Sequence, residues 1–357
     1  MTSESFFETI QQQYNSKLPF VVYRNPNVNT VKLFLQKNDT IFKVSSFTES
    51  GFLFSPFNSE ESAVLIPIAH SKVIKTEYSV EHNNELSSID FSDNLINKQN
   101  HLHLIQNAID DINVDKFQKV VLSRCETVEL FEVNPIQIFK RLLNAYATAF
   151  VYCWYHPKIG LWIGATPETL LKVKENRFST MALAGTKDYN GSLNVTWQEK
   201  EKEEQQIVTN FIVDSLKPLV NDLHVSETKT IKAGHLLHLR SEISGTYDLK
   251  ESGLKNLINQ LHPTPAVCGF PKIIAKQFIL NNENYNREFY TGFLGELDID
   301  NEKKGVQCTE LFVNLRCMQL KNDEAKLYVG GGITKDSIPE SEWQETVSKS
   351  LVMKNML

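Results

Sequence analysis

Short apolar runs broken by polar residues recur along this chain, and they constrain its fold more than any other feature. In the first ninety residues they are "FVVYR", "VKLFLQ", "TIFKVSS" and "AVLIPI". Each has the length of a strand and the gaps between them are too short to hold a helix, so they read as neighbours in an antiparallel sheet rather than as alternating βα units. Polar "HNNELSSIDFSDN" then leads into "INKQNHLHLIQNAIDDINV", whose apolar residues fall at helical spacing. A strand ("KVVLSRCETVEL"), a helix ("NPIQIFKRLLNAY") and strands "AFVYCWYH", "GLWIGA" and "TLLKVKENRFSTMALAG" follow. A long helix is expected from about residue 199 to 217, a second over "GLKNLINQL", then strands "FYTGFLGELDID", "VQCTELFVNLRCMQLK" and "AKLYVGGGI" before a closing helix. Runs of strands interrupted by a few helices predict an α+β fold with large antiparallel sheets. No fixed-period repeat or low-complexity linker divides the chain, so residues 1–357 are expected to form one domain, with the segment 78–95 as the best candidate for a minor boundary.

Composition removes several classes of function. A formal net charge of −6 opposes broad affinity for nucleic acid, though a local field can still receive a small anion. Five scattered cysteines with no C-x-x-C pair suggest neither a zinc site nor a disulfide framework and fit a reducing cytoplasm. The N-terminal residues lack a basic and apolar leader pattern, and no run approaches the roughly twenty apolar residues of a membrane span. A cytoplasmic protein without a membrane or nucleic-acid partner is expected.

Two acidic pairs stand out. Glu342 and Glu345 in "PESEWQETVSK", and Glu201 and Glu204 in "QEKEKEEQQIVTNF", are each three residues apart, which sets both carboxylates of a pair on one helix face. A single such pair usually marks a solvated face, here relieved by Lys349 four residues beyond Glu345. Two pairs on two helices resemble the walls of one site. Lys119 borders an apolar strand core, and is either a packed stem with a wet ammonium or a general base in a dry pocket. Glu168 follows a Thr-Pro turn, where a first-turn helix residue is the ordinary reading and a general acid at a pocket mouth the sharper one. His262 lies in a proline-stiffened loop, as a packing residue or as a donor to a substrate oxygen. Arg316 interrupts an apolar strand, on an exposed face or as a fork for a carboxylate. Gly330, Gly331 and Gly332 follow a strand and mark a turn or bulge, or let backbone N–H groups approach an anion; Tyr290, Gly292 and Gly295 in "REFYTGFLGEL" share that ambiguity.

Taken in order, "KVVLSR", "GATPETLL", "LAGT", "EKEKEE", "LHPTPAVCGFP", "REFYTGFLGEL", "NLRCMQL", "YVGGGI" and "SEWQETVSK" resemble the chorismate-utilising enzymes, and specifically the isochorismate synthases. The resemblance spans about residues 105 to 355 and is weak over roughly the first 95, a variable half in this family. It implies a single α+β domain and Mg²⁺ held mainly by Glu204 and Glu345, with Glu201 and Glu342 acting through water. It further implies Lys119 as the base for a water attacking C2 of chorismate and Glu168 as the acid for the departing C4 hydroxyl. His262 would lie near the ring carboxylate and the metal, while Arg316, Tyr290 and the N–H groups of Gly330 to Gly332 would grip the enolpyruvyl carboxylate.

Related enzymes that aminate chorismate have glutamine where Lys119 stands, and aminodeoxychorismate synthases have a lysine where this chain has Ala184; both readings are disfavoured. Salicylate synthases keep the lysine and the acid and are the near alternative. A catalytically silent binding protein would need neither. Gln205 stands where the family often has histidine, so a shift of one position would bring Glu203 into play for Glu204. The resemblance also suggests a monomer, and nothing ties the chain to a siderophore assembly line, so menaquinone is the expected destination of the product.

Overall fold

The computed structural model describes residues 2–80, 95–130, 134–247, 253–300, 305–321 and 323–357. Two antiparallel sheets dominate it. The first runs, edge to edge, through Gly269–Phe270, Lys119–Glu129, Glu324–Ile333, Cys317–Lys321, Gly160–Thr166, Phe150–His156, Phe20–Arg24, Thr30–Gln36 and Ser71–Glu77. The second runs through His224–Val225, Leu236–Thr246, Arg177–Asp188, Thr169–Lys174, Cys308–Val313, Phe293–Ile299, Gly51–Ser55, Val64–Pro67 and Phe42–Lys43, with Lys229–Ala233 also on Leu236–Thr246. The expected α+β architecture of large antiparallel sheets with flanking helices is present. Residues 20–77 supply strands to both sheets. The proposed boundary at 78–95 falls almost wholly on residues 81–94, outside the described residues.

The helices are α1 (Ser3–Asn15), α2 (Leu95–Asn113), α3 (Pro135–Ala145), α4 (Glu199–Leu216), α5 (Gly253–Leu261), α6 (Lys272–Asn282) and α7 (Pro339–Lys354). Helix α1 was not foreseen, although Thr2 caps it and Phe6, Phe7 and Ile10 make one apolar stripe. An aromatic core that includes Tyr23, Phe54, Phe150, Trp154 and Phe312 fills the space between the sheets. The outer face of the first sheet packs on α1 and α3, and that of the second on α4 and α5. Strands covered on both sides bury consecutive residues, which is why "FVVYR" is a continuous apolar run rather than an alternating one. None of the described helices is long and apolar enough to cross a membrane.

Two expected strands are each broken. "TLLKVKENRFSTMALAG" is a hairpin of Thr169–Lys174 and Arg177–Asp188, turning at Glu175 with φ +56°. "VQCTELFVNLRCMQLK" is two strands in different sheets, Cys308–Val313 and Cys317–Lys321, joined through Arg316 at φ +47°. Neither break carries the glycine or proline that normally announces one.

Candidate active site

The site forms where strands change sheets. Gly160–Thr166 belongs to the first sheet and Thr169–Lys174 to the second, so the chain crosses between them at Pro167 and Glu168. The crossover through Asn314, Leu315 and Arg316 runs beside it. The two are tied by the Val313 amide donating to the Glu168 carbonyl at 3.0 Å and by the Thr166 hydroxyl donating to the Val313 carbonyl at 2.6 Å. The turn bearing Tyr290 joins them, its Thr291 amide donating to the Asn314 carbonyl at 2.9 Å. Glu168 is therefore not a first-turn helix residue, and Arg316 does not lie on an exposed strand face. Both are buried.

Lys119 opens the strand Lys119–Glu129 and is fully buried. Its ammonium lies 2.9 Å from Glu204 Oε1 as an ion pair, with no hydrogen bond aligned to Nζ. Helix α4 points Glu204 inward and leaves Glu203 exposed, while Gln205 is buried and donates to the Ala182 carbonyl at 3.1 Å. Glu203, the off-by-one alternative, thus lies on the exposed face of α4. Opposite, α7 presents Glu342 and Glu345, the latter paired with Lys349 at 2.6 Å. Lys200 forms an ion pair with Glu342, and its pKa is raised because the attractions of Glu342, Glu345 and Glu204 outweigh its burial. Three carboxylates from two helices thus act on one ammonium. Crowding shows in Glu342, whose pKa is raised first by burial and then by Glu345. Glu201 stands apart, since its carboxylate accepts the Gln198 amide at 2.9 Å in the capping box of α4.

Burial pushes the Glu168 carboxyl up to about 8, with Lys119 and Arg316 pulling the other way. One electrostatic neighbourhood therefore holds an acid that keeps its proton at neutral pH beside the lysine and the arginine. Arg316, Tyr290 and Gly330 line a cavity of about 60 Å³ together with Lys349, large enough for a carboxylate group. Arg316 Nη1 is buried with no hydrogen-bond partner, an unmet donor that an anionic ligand would satisfy. His262 is not brought into this group. Its ring packs edge-on against Phe293 at 4.8 Å, and burial lowers its pKa to about 3. The ring lies at the end of α5.

The three glycines belong to a strand, not to a turn, pairing with Ser123, Leu122 and Val121. What they provide is room. A Cβ on Gly332 would lie 2.3 Å from Glu204 Oε1 and 3.1 Å from Lys119 Cε, whereas one on Gly331 would meet Glu345 Oε1 at 3.4 Å. Gly332→Ala should therefore cost turnover at least about tenfold by displacing the Lys119–Glu204 pair, and Gly331→Ala much less. Steady-state kinetics of the two variants checks this, and equal effects would refute it.

The family profile described as chorismate binding enzyme matches residues 46–357. The chain belongs to the chorismate-binding enzyme family. The isochorismate synthase EntC of Escherichia coli is 33% identical over 206 residues, 55% of this chain and 51% of that one. The salicylate biosynthesis isochorismate synthase of Pseudomonas aeruginosa is 29% identical over 262 residues, 71% and 53% of the two chains. The chain thus spans about half the length of these curated relatives. The fold is that of MenF, the menaquinone-specific isochorismate synthase from Escherichia coli, with a TM-score of 0.76 at 21% identity over 95% of this chain and 88% of that one.

For a chorismate-binding enzyme the acidic walls raise the question of a metal. Among the described residues no three His, Cys, Asp or Glu side chains are gathered as an ion would need; each inward glutamate is paired with a lysine. The donor chemistry nevertheless fits a hard divalent cation. Glu204, Glu342 and Glu345 offer only oxygen, and the Lys200 ammonium already stands among them as a positive charge.

Two contributors were missed from the sequence. Arg287 is buried, donating to the Val121 carbonyl at 2.7 Å and the Val267 carbonyl at 3.0 Å, and clamps the Lys119 strand to the "PTPAVCGFP" loop. His238 sits beside Arg316, in a stretch not read as a strand at all.

Proposed function

We propose that the chain is an isochorismate synthase, converting chorismate to isochorismate by adding water at C2 as the C4 hydroxyl leaves. The observation that carries the reading is that a fully buried lysine, Lys119, and a buried carboxyl, Glu168, share one electrostatic neighbourhood. Acid–base chemistry requires such a pair, and binding alone does not.

Lys119, as the neutral amine left once its ammonium has given a proton to solvent, would take the proton of the attacking water as its oxygen bonds to C2. Both ring double bonds shift, C1–C2 to C1–C6 and C5–C6 to C4–C5, the C4–O bond breaks, and Glu168 gives its proton to the leaving hydroxyl, which departs as water. One water enters and one leaves, so the product is an isomer of the substrate. Arg316 Nη1 and Tyr290 would hold the enolpyruvyl carboxylate in the small cavity, so that the ring meets Lys119 and Glu168 in one orientation. Glu204, Glu345 and Glu342 would hold Mg²⁺, whose charge would offset that of the ring carboxylate. The destination of isochorismate is decided by the enzyme that consumes it; the relatives named for menaquinone and for salicylate form the same product.

Proton NMR of purified protein incubated with chorismate, with and without Mg²⁺, tests this reading. Isochorismate is expected only with Mg²⁺. Salicylate with pyruvate would reassign the chain as a salicylate synthase, and no conversion under either condition would overturn the proposal.

A further inference from the structure

His238 lies in the strand Leu236–Thr246, opposite an irregularity in Arg177–Asp188 where the register shifts between Ala184 and Lys187. Gly185 sits in that bulge with φ +71°, a conformation in which a side chain is strained, and a Cβ there would also lie 3.1 Å from Glu201 Cβ. The bulge turns both of its peptide groups to use. The Gly185 amide donates to Glu204 Oε2 at 3.3 Å, and its carbonyl lies 2.8 Å from His238 Nδ1.

A carbonyl can only accept, so His238 Nδ1 carries the hydrogen. The other nitrogen, Nε2, faces Arg316 Nη2 at 3.4 Å. A guanidinium can only donate, so that contact exists only if Nε2 is a bare lone pair. The acceptor at Nδ1 and the donor at Nε2 thus select a single neutral tautomer, and the Thr186 hydroxyl, 3.5 Å from Nδ1, can accept from the same hydrogen. Burial, followed by the charge of Arg316, lowers the pKa of this histidine to about 3, so the tautomer persists at every pH at which the enzyme would work. At 3.4 Å the contact is at the long end of hydrogen-bond range. It is nonetheless the one hydrogen bond of the Arg316 guanidinium among the described residues, on a side chain whose backbone is held at positive φ between two sheets.

We infer that His238 is a positioning residue, a fixed hydrogen-bond acceptor that aims the Arg316 guanidinium at the substrate carboxylate and ties it through Gly185 to the wall bearing Glu204. The inference rests on the reading of Arg316 as the carboxylate anchor. With the guanidinium held at Nη2, Nη1 is left for the substrate. Loss of the acceptor would free the guanidinium to rotate, which weakens binding without touching the groups that move protons.

His238→Asn and His238→Gln separate this role from simple packing. An asparagine can replace Nδ1 toward Gly185 but does not reach Arg316, while the amide oxygen of glutamine reaches the Nε2 position. His238→Asn should raise KM for chorismate, and the Kd measured calorimetrically without metal, by at least about fivefold, with kcat changed less than about twofold; His238→Gln should recover most of the loss. The decisive measurement is the cycle with Arg316→Ala, in which His238→Asn should have no further effect on Kd because its partner is gone. Arg316→Ala weakening binding while His238→Asn leaves it unchanged, or equal losses from His238→Asn in both backgrounds, would overturn the inference and leave the anchor reading intact. Normal binding by Arg316→Ala would overturn both.

Discussion

Lys119→Met is expected to abolish conversion of chorismate while leaving a folded chain that still binds it. The side chain is completely buried and its ammonium meets one carboxylate, Glu204, at 2.9 Å. Methionine keeps an unbranched stem in that space but has no basic nitrogen, so the loss should fall on kcat, by about 10²–10⁴. Removing one partner of a buried ion pair ordinarily destabilises severely. Here the penalty should be smaller, because Glu204 retains the Gly185 amide and the favourable fields of Lys349 and Lys200. The same variant should bind Mg²⁺ more tightly, since a competing positive charge on Glu204 has been removed; titration calorimetry measures this without turnover. A variant that retained a tenth of normal kcat would end the assignment of Lys119 as base. Unchanged or weaker metal binding would instead show that Glu204 is not a ligand.

How far the site could be read from the chain follows from which signals are local. The i, i+3 spacing of Glu201 with Glu204 and of Glu342 with Glu345 is a property of a helix alone, so both acidic faces were legible before any tertiary contact was known. Within those faces the roles were not. Glu201 lies in the first turn of α4, where the free amide of Gln198 takes its carboxylate, and that competition is invisible in spacing. Lys119 was conspicuous as a charge at the end of an apolar strand; by the same logic His238, set among Leu236, Leu237 and Leu239, could have been noticed. Arg316 was conspicuous but misplaced. An arginine in left-handed backbone between two sheets is held there by pairing on both sides, Thr169 with Phe312 and Gly164 with Cys317, and nothing in "NLRC" itself calls for a break. Four N-terminal runs hold strands as read, though "TIFKVSS" pairs only over Phe42–Lys43 and Ser71–Glu77 was not read as a strand; their division between two sheets depends on contacts with segments more than a hundred residues away.

Glu168→Gln should separate stability from function more sharply than any other change. The carboxyl is raised from an ordinary 4.5 to about 8, chiefly by burial. Below pH 4.5 the group is protonated in both the folded and the unfolded chain, and its contribution to stability is fully present. Between 4.5 and about 8 the unfolded chain releases the proton and the folded chain keeps it, so stability falls by up to about 1.4 kcal/mol for each pH unit. Above 8 both forms are ionised and the loss is constant. Glutamine has no proton to release, so the variant should lose this slope and, after the cost of burying an amide, be about 1–3 kcal/mol more stable than the parent at pH 7.5. It should also be inactive, because an amide cannot protonate the departing C4 hydroxyl, while the parent's kcat should decline as pH rises past about 8 with the slope of a single proton. Thermal melts across pH 5–9 with parallel kinetics test both halves. An active glutamine variant would refute the acid assignment, and a variant with the parent's pH slope in stability would show that Glu168 is already ionised in the folded chain.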